Sequence, residues 1–162
     1  MRANPSKLLL DSNVWIDLFA SDRAGHGDAV KLVTWAVQQE AILFFAASSV
    51  KDVYYLLQEG EKRKLRAASV EINAGVAAAV DEYAWGCLGA MEDLGTVVPL
   101  DQSDVWLATK FRSIHGDFED NLVLAAMERS DADYLVTGDK TLLRRCPVPA
   151  LPAAGLLALV EG

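Results

Sequence analysis

The chain alternates short, wholly apolar runs with longer stretches in which apolar positions recur at helical spacing. The first run, KLLL at residues 7–10, reads as a buried strand. A helical pattern follows with Val14, Ile16, Leu18 and Phe19 as its apolar positions and Ser12 or Asn13 as its cap. Residues 21–28, SDRAGHGD, read as a loop, and Asp28 is placed to cap a helix over roughly 29–40. ILFFAA, residues 42–47, is too short for a helix and predicts a second strand, with Ser48 or Ser49 capping the helix behind it. Residues 61–94 are Ala-rich and almost free of breakers, which predicts one long helix or two divided near Asn73–Gly75. TVVPL, residues 96–100, is a third strand, its Pro99 suited to a strand end or sheet edge. Asp101 or Ser103 caps the next helix, which runs through Phe111. A loop at 112–116 leads into an acidic helix from Asp117 to about Ser130, then into the strand YLVTG at 134–138. A short helix after Asp139, a last short strand and a closing helix complete the pattern.

Strands that alternate with helices predict an α/β fold: a single domain over residues 1–162, with a central parallel sheet of about four to five short strands and helices on both faces. Right-handed crossovers bring the C-terminal ends of all its strands to one rim, where open α/β sheets bind their ligands. Asp11 and Asp139 each follow a strand directly onto that rim. Asp52 and Asp120 each open a helix that leaves it. Four acids distant in sequence thus become neighbours.

The charge balance sharpens this picture. A net charge of −8 argues against broad, sequence-independent nucleic-acid binding, which relies on Lys and Arg at phosphates. It is compatible with a nuclease, because a cluster of acids is negative until bound cations reverse the local field. The length of 162 residues suits one domain with a real core. No apolar run approaches the ~18–20 residues of a membrane span, and the N-terminus lacks the apolar core of a signal peptide. Cys87 and Cys146 have neither CxxC nor zinc-ligand spacing and read as free thiols of a cytoplasmic protein.

Crowded carboxylates repel and raise one another's pKa unless cations are present. Oxygen-only donors suit Mg²⁺ or Mn²⁺ rather than zinc. One or two such ions orient water and stabilise the charge of an in-line phosphoryl displacement, so the acids favour metal-assisted hydrolysis of a phosphodiester. Asn13 and Thr137 are polar neighbours suited to hold a carboxylate or a bound water in place.

Four segments, in order, carry a resemblance: LLLDSNVWIDLF, SSVKDVYYLL, DFEDNLVLAA and ADYLVTGDK. Together they resemble the PIN-domain family, the ribonuclease fold used by VapC-type toxins, over nearly the whole chain. The resemblance implies that Asp11, Asp120 and Asp139 bind metal and that Asp52 joins them in catalysis. Asp52 stands where the family usually has Glu, about 1.5 Å shorter in reach by ordinary bond lengths. Asp117 matches an extra acid of the DFED-bearing branch and joins the metal set, three residues before Asp120 and so on one helix face with it. Glu119 falls off that face and is read as solvated. The resemblance further implies a Mg²⁺- or Mn²⁺-dependent endoribonuclease acting on single-stranded RNA. Such a protein is the toxin half of a toxin–antitoxin pair, restrained by a small antitoxin protein and active as a homodimer. A catalytically inactive PIN domain that binds RNA or protein is the alternative, supported by the negative charge and by Asp at position 52. A phosphatase of the HAD type would want Asp-x-Asp where this chain has Asp11-Ser12-Asn13, and a response-regulator receiver fits no better. Asp17 reads as a structural hydrogen-bond partner, His115 as a loop histidine without a catalytic role, and the run Lys62–Arg66 as a solvated helix face.

Overall fold

A computed structural model describes residues 4–162 of the chain. Five parallel strands form one sheet in the order β3-β2-β1-β4-β5: β1 (Lys7–Leu10), β2 (Ile42–Ala46), β3 (Thr96–Val98), β4 (Tyr134–Val136) and β5 (Ala150–Leu151). In register, Leu9 of β1 lies between Phe44 of β2 and Leu135 of β4. The helices are α1 (Ser12–Phe19), α2 (His26–Gln38), α3 (Ala47–Ala67), α4 (Ala74–Leu94), α5 (Gln102–Phe111), α6 (Phe118–Ser130), α7 (Lys140–Arg145) and α8 (Ala153–Glu161). The α/β class and the parallel sheet expected from the apolar runs are therefore the observed architecture.

The strands are apolar throughout because both faces of the sheet are covered. Leu8, Leu10, Leu43, Phe45 and Val136 point to one side, against α1, α2, the start of α3, α4 and α8. Leu9, Ala46, Val98 and Leu135 point to the other, against Val123, Leu124 and Met127 of α6 and Leu142 of α7. This two-residue alternation is the side-chain period of a strand, and a doubly covered sheet needs apolar residues at both phases.

Several local expectations change. Asp11, not Ser12 or Asn13, caps α1. α2 starts three residues earlier than expected, on Gly25, and places Asp28 in its first turn rather than at its cap. α3 begins straight off β2 at Ala47, with Ala46 as a cap that makes no side-chain bond. Asp52 consequently lies in the second turn of α3 rather than at its start. The Ala-rich region splits into α3 and α4 at residues 68–73, where Asn73 caps α4 by accepting the Val76 N–H. β3 stops at Val98, so Pro99 lies just outside the ladder it could not join. Asp101 caps α5 in a reciprocal box with Asp104, and Arg129 of α6 pairs with both acids, fastening α6 to α5. Among the described residues, no helix is long and apolar enough to cross a membrane.

Candidate active site

The parallel topology delivers the C-terminal ends of β1 and β4 side by side. Asp11 follows β1 and caps α1; Asp139 lies three residues beyond β4 and caps α7, accepting the N–H groups of Thr141 and Leu142 at 2.7 and 2.8 Å. Both acids thus sit at helix N-termini, where the backbone dipole favours negative charge. α6 brings Asp120 in from a separate element, and α3 brings Asp52. The result is a cleft of about 150 Å³ lined by Asp11, Asp52, Glu119, Asp120 and Asp139, together with Ser12, Asn13, Ser48, Ser49 and Val123.

Asp11 is buried and closely held. Its Oδ1 accepts the Ser12 N–H at 2.7 Å. Its Oδ2 accepts from Thr137 Oγ1 at 2.7 Å and from Asn13 Nδ2 at 2.9 Å. Thr137 is fully buried, and its hydroxyl oxygen also accepts the Asp139 N–H at 3.0 Å, tying the two aspartates together. Asn13 in turn accepts the Gly138 N–H at 2.8 Å. A Cβ at Gly138 would lie 3.3 Å from Asn13 Oδ1, so the small residue lets the strand end close on the amide. Burial pushes the Asp11 carboxyl above the ordinary carboxylate range; its hydrogen bonds oppose that rise, and the charge on Asp139 adds to it.

Asp120 is less well supplied. Burial, and then the charges of Asp117, Asp11 and Asp139, raise its pKa to about 6. The counterweight is His115, buried in the loop before α6, whose Nε2 lies 2.8 Å from Asp120 Oδ2. Asp52 and Glu119 form the outer lip, with Lys51 3.6 Å from a carboxylate oxygen of each.

Asp117 does not line the cleft. It caps α6, accepting the Asp120 N–H at 3.1 Å, and acts on Asp120 through its charge. Because α6 begins at Phe118, it is Glu119 that reaches the lip, with its side chain still 67% exposed and therefore in water. Asp17 pairs with Arg23 at 2.5 Å on the wall of a neighbouring cleft of about 540 Å³, which shares Asn13 and Asp139 with the acidic one. Gly25 packs so closely on Asp17 that an added Cβ would come within 2.2 Å of its Oδ2.

The donor set is made of carboxylates alone; burial first, and then neighbouring negative charge, raises the pKa of Asp11 and of Asp120, and both effects favour a cation beside them. No three His, Cys, Asp or Glu side chains among the described residues are drawn tightly enough to enclose an ion as they stand. The fit to Mg²⁺ or Mn²⁺ is therefore one of donor chemistry and charge, in an open cleft rather than a closed cage.

Comparison with known proteins bears on this arrangement. No curated protein sequence matches the chain. Its structure is similar to that of FitAcB from Neisseria gonorrhoeae, at TM-score 0.65 and 14% identity over 91% of this chain and 98% of that one. It is also similar to the Mycobacterium tuberculosis VapC20, described as a sarcin-ricin loop cleaving toxin, at TM-score 0.59 and 14% identity over 82% and 89% of the two chains. VapBC2 from Rickettsia felis, bound to a DNA fragment from its promoter, aligns at TM-score 0.58 and 12% identity over 90% and 98%. At these identities the likeness is one of fold. The sequence profile of the PIN domain matches residues 7–141, from the first residue of β1 to the first turn of α7 and so across every acid of the cleft, and the chain belongs to the PIN-domain family.

Proposed function

We propose that this protein is an endoribonuclease that hydrolyses phosphodiester bonds of single-stranded RNA with Mg²⁺ or Mn²⁺, and that it is the toxin component of a toxin–antitoxin pair. The observation that carries the reading is the meeting of Asp11, Asp120 and Asp139, from three separate elements, at one cleft in which their charges oppose one another. In this reading Asp11, Asp120 and Asp139 hold the cation. Asp117 contributes charge beside Asp120 from its capping position rather than a ligand oxygen. An ion held there would supply the positive charge that lowers the pKa of a water and offsets the negative charge building on the phosphoryl oxygens in an in-line displacement. Asn13 and Thr137 keep the Asp11 carboxylate oriented, so that little has to reorganise as the reaction proceeds. Asp52, shorter than the usual Glu, positions a water from the outer lip.

The partner half of the reading rests on a different surface. Tyr55, Leu56 and Trp85 are each more than half exposed. Trp85 borders an apolar groove of about 710 Å³ that also takes in Phe45, Val50, Leu88, Met91 and Val97. Apolar surface of this kind marks a protein contact, which suits an antitoxin or a second subunit. That the similar VapC20 is described as a toxin supports the same assignment.

The deciding experiment is cleavage of a fluorescent single-stranded RNA by the purified protein, free of inhibitor, with and without Mn²⁺, beside an Asp11→Asn variant. Metal-dependent cleavage that falls by more than about 100-fold in the variant is expected, beyond the 10–100-fold that outer-shell changes cost. A folded protein that binds RNA but cuts none with Mn²⁺, or with Mg²⁺ in its place, would instead favour the binding-only reading.

A further inference from the structure

Three groups near the cleft have no part in the reading above: the Arg23–Asp17 pair of the neighbouring cleft, the Arg129–Asp104 clasp between α5 and α6, and His115. The Arg23 guanidinium is already engaged by Asp17, and that of Arg129 by Asp101 and Asp104. His115 remains. It is 93% buried by accessible area, in a loop, which is an uncommon place for a titratable ring. Both of its nitrogens face the start of α6. The Asp117 N–H donates to Nδ1 at 3.2 Å, which makes Nδ1 the acceptor and leaves the ring hydrogen on Nε2. Nε2 lies 2.8 Å from Asp120 Oδ2, yet its N–H is not aimed along that line and has no well-formed hydrogen bond. The loop backbone is held as well: Asn121, itself buried, donates from Nδ2 to the His115 carbonyl at 2.9 Å.

We infer that His115 is a positioning residue for the metal-binding carboxylate of Asp120: its Nε2–H holds Oδ2, which turns the other carboxylate oxygen to the cleft. This rests on the metal-dependent reading of the site and deepens it. The physical logic is that of an outer-shell partner, which fixes the direction of a ligand without touching the ion. Asp11 receives this service from Thr137 and Asn13. Among the described residues Asp120 has no hydroxyl or side-chain amide in that role, and His115 is the side chain whose polar atom is placed to provide it. The unaligned N–H fits an acceptor that settles when its other oxygen is engaged.

Two near-isosteric substitutions separate positioning from packing. In His115→Asn the amide oxygen can replace Nδ1 as acceptor for the Asp117 N–H, but nothing reaches Asp120. In His115→Gln the amide nitrogen can replace Nε2 as donor to Asp120. Mn²⁺ binding is measured by titration calorimetry, with the metal-induced rise in melting temperature as a second readout. His115→Asn is expected to bind Mn²⁺ at least about tenfold more weakly, and His115→Gln to stay nearer the wild type than the Asn variant. Wild-type affinity in His115→Asn overturns the inference. So does an equal loss of melting temperature in both variants with the metal-induced rise intact. Should His115→Asn not fold, the ¹⁵N–¹H resonance of His115 Nε2 in the wild-type protein decides: movement on Mg²⁺ addition supports the inference, and an unchanged signal overturns it. A wild-type protein that takes up no Mn²⁺ is a separate outcome, which removes the metal-dependent reading itself and the inference with it.

Discussion

Asp11 and Asp120 are the same residue type at the same cleft, and they are held in opposite ways. Asp11 closes a strand, caps a helix and accepts three hydrogen bonds from groups that are themselves fixed: the Ser12 N–H, Asn13 and the fully buried Thr137. Asp120 lies in the first turn of α6, faces three like charges, and has one histidine at its side. Hydrogen bonds offset part of the cost of burying a charge, so Asp11, whose pKa is raised by burial too, is the better compensated of the two. The cleft therefore joins a rigid corner to a soft one. The rigid corner is ready before any cation arrives. The soft one carries unfavourable charge that the proposed cation would relieve.

The comparison breaks most directly at Thr137. Replacing it with Val keeps the volume but removes the hydroxyl shared by Asp11 and the Asp139 N–H. Thr137→Val is expected to lower cleavage by about 10–100-fold, as outer-shell changes do at metal sites. It is also expected to cost about 1–3 kcal/mol of stability, the penalty for stranding buried polar groups, read from urea denaturation. A variant with unaltered activity and stability would show that Asp11 needs no such brace.

The soft corner is tested by pH. The pKa of Asp120 is about 6 in the folded protein, against an unfolded value of ~3.9. A raised folded pKa means that this group's stabilising contribution is complete below about pH 4 and is lost as pH rises through about 6. In chelator, the melting temperature of the wild type should fall relative to Asp120→Asn between about pH 4 and 7. Mn²⁺ at pH 7 should close that gap by raising the wild type. Parallel pH profiles for the two proteins would show that Asp120 is not under strain. The smallest effect is expected at the lip. Asp52→Glu restores the reach that the family usually has there, and should change cleavage by no more than about tenfold, less than the loss of a positioned ligand. A larger loss would mean that the cleft is built around the shorter acid.

The rigid corner was legible in the sequence with its supports, whereas of the soft one only Asp120 itself was. An acid straight after an apolar run, and a Thr two residues before another acid, both follow from where a parallel sheet places its strand ends. Asn13 and Thr137 stood out because they share that rim. His115 gave no signal, because a lone histidine in a five-residue loop has no periodicity to read, and its value lies in contact with a residue on the following helix. Asp117 was misplaced for a related reason, while Glu119 stayed in water as expected and only touches the lip. As the cap of α6, Asp117 has extended backbone and not helical backbone, so the i, i+3 spacing to Asp120 does not put the two side chains on one helix face. The caps of α2 and α3 were displaced likewise, since glycine and a strand end can launch a helix without a side-chain acceptor.

Asp11, Asp117 and Asp139 each double as the first anchor of a helix. Two selective pressures therefore fall on one side chain, and they part company over what may replace it. The proposed chemistry demands the charge; folding asks only for a short acceptor, which Asn, Ser or Thr also provides and Ala does not. Once released from its reaction, a lineage carrying this scaffold would be free to lose the charges and still be held to the acceptors, so its history would be written as Asp giving way to Asn or Ser at these positions while the fold persisted.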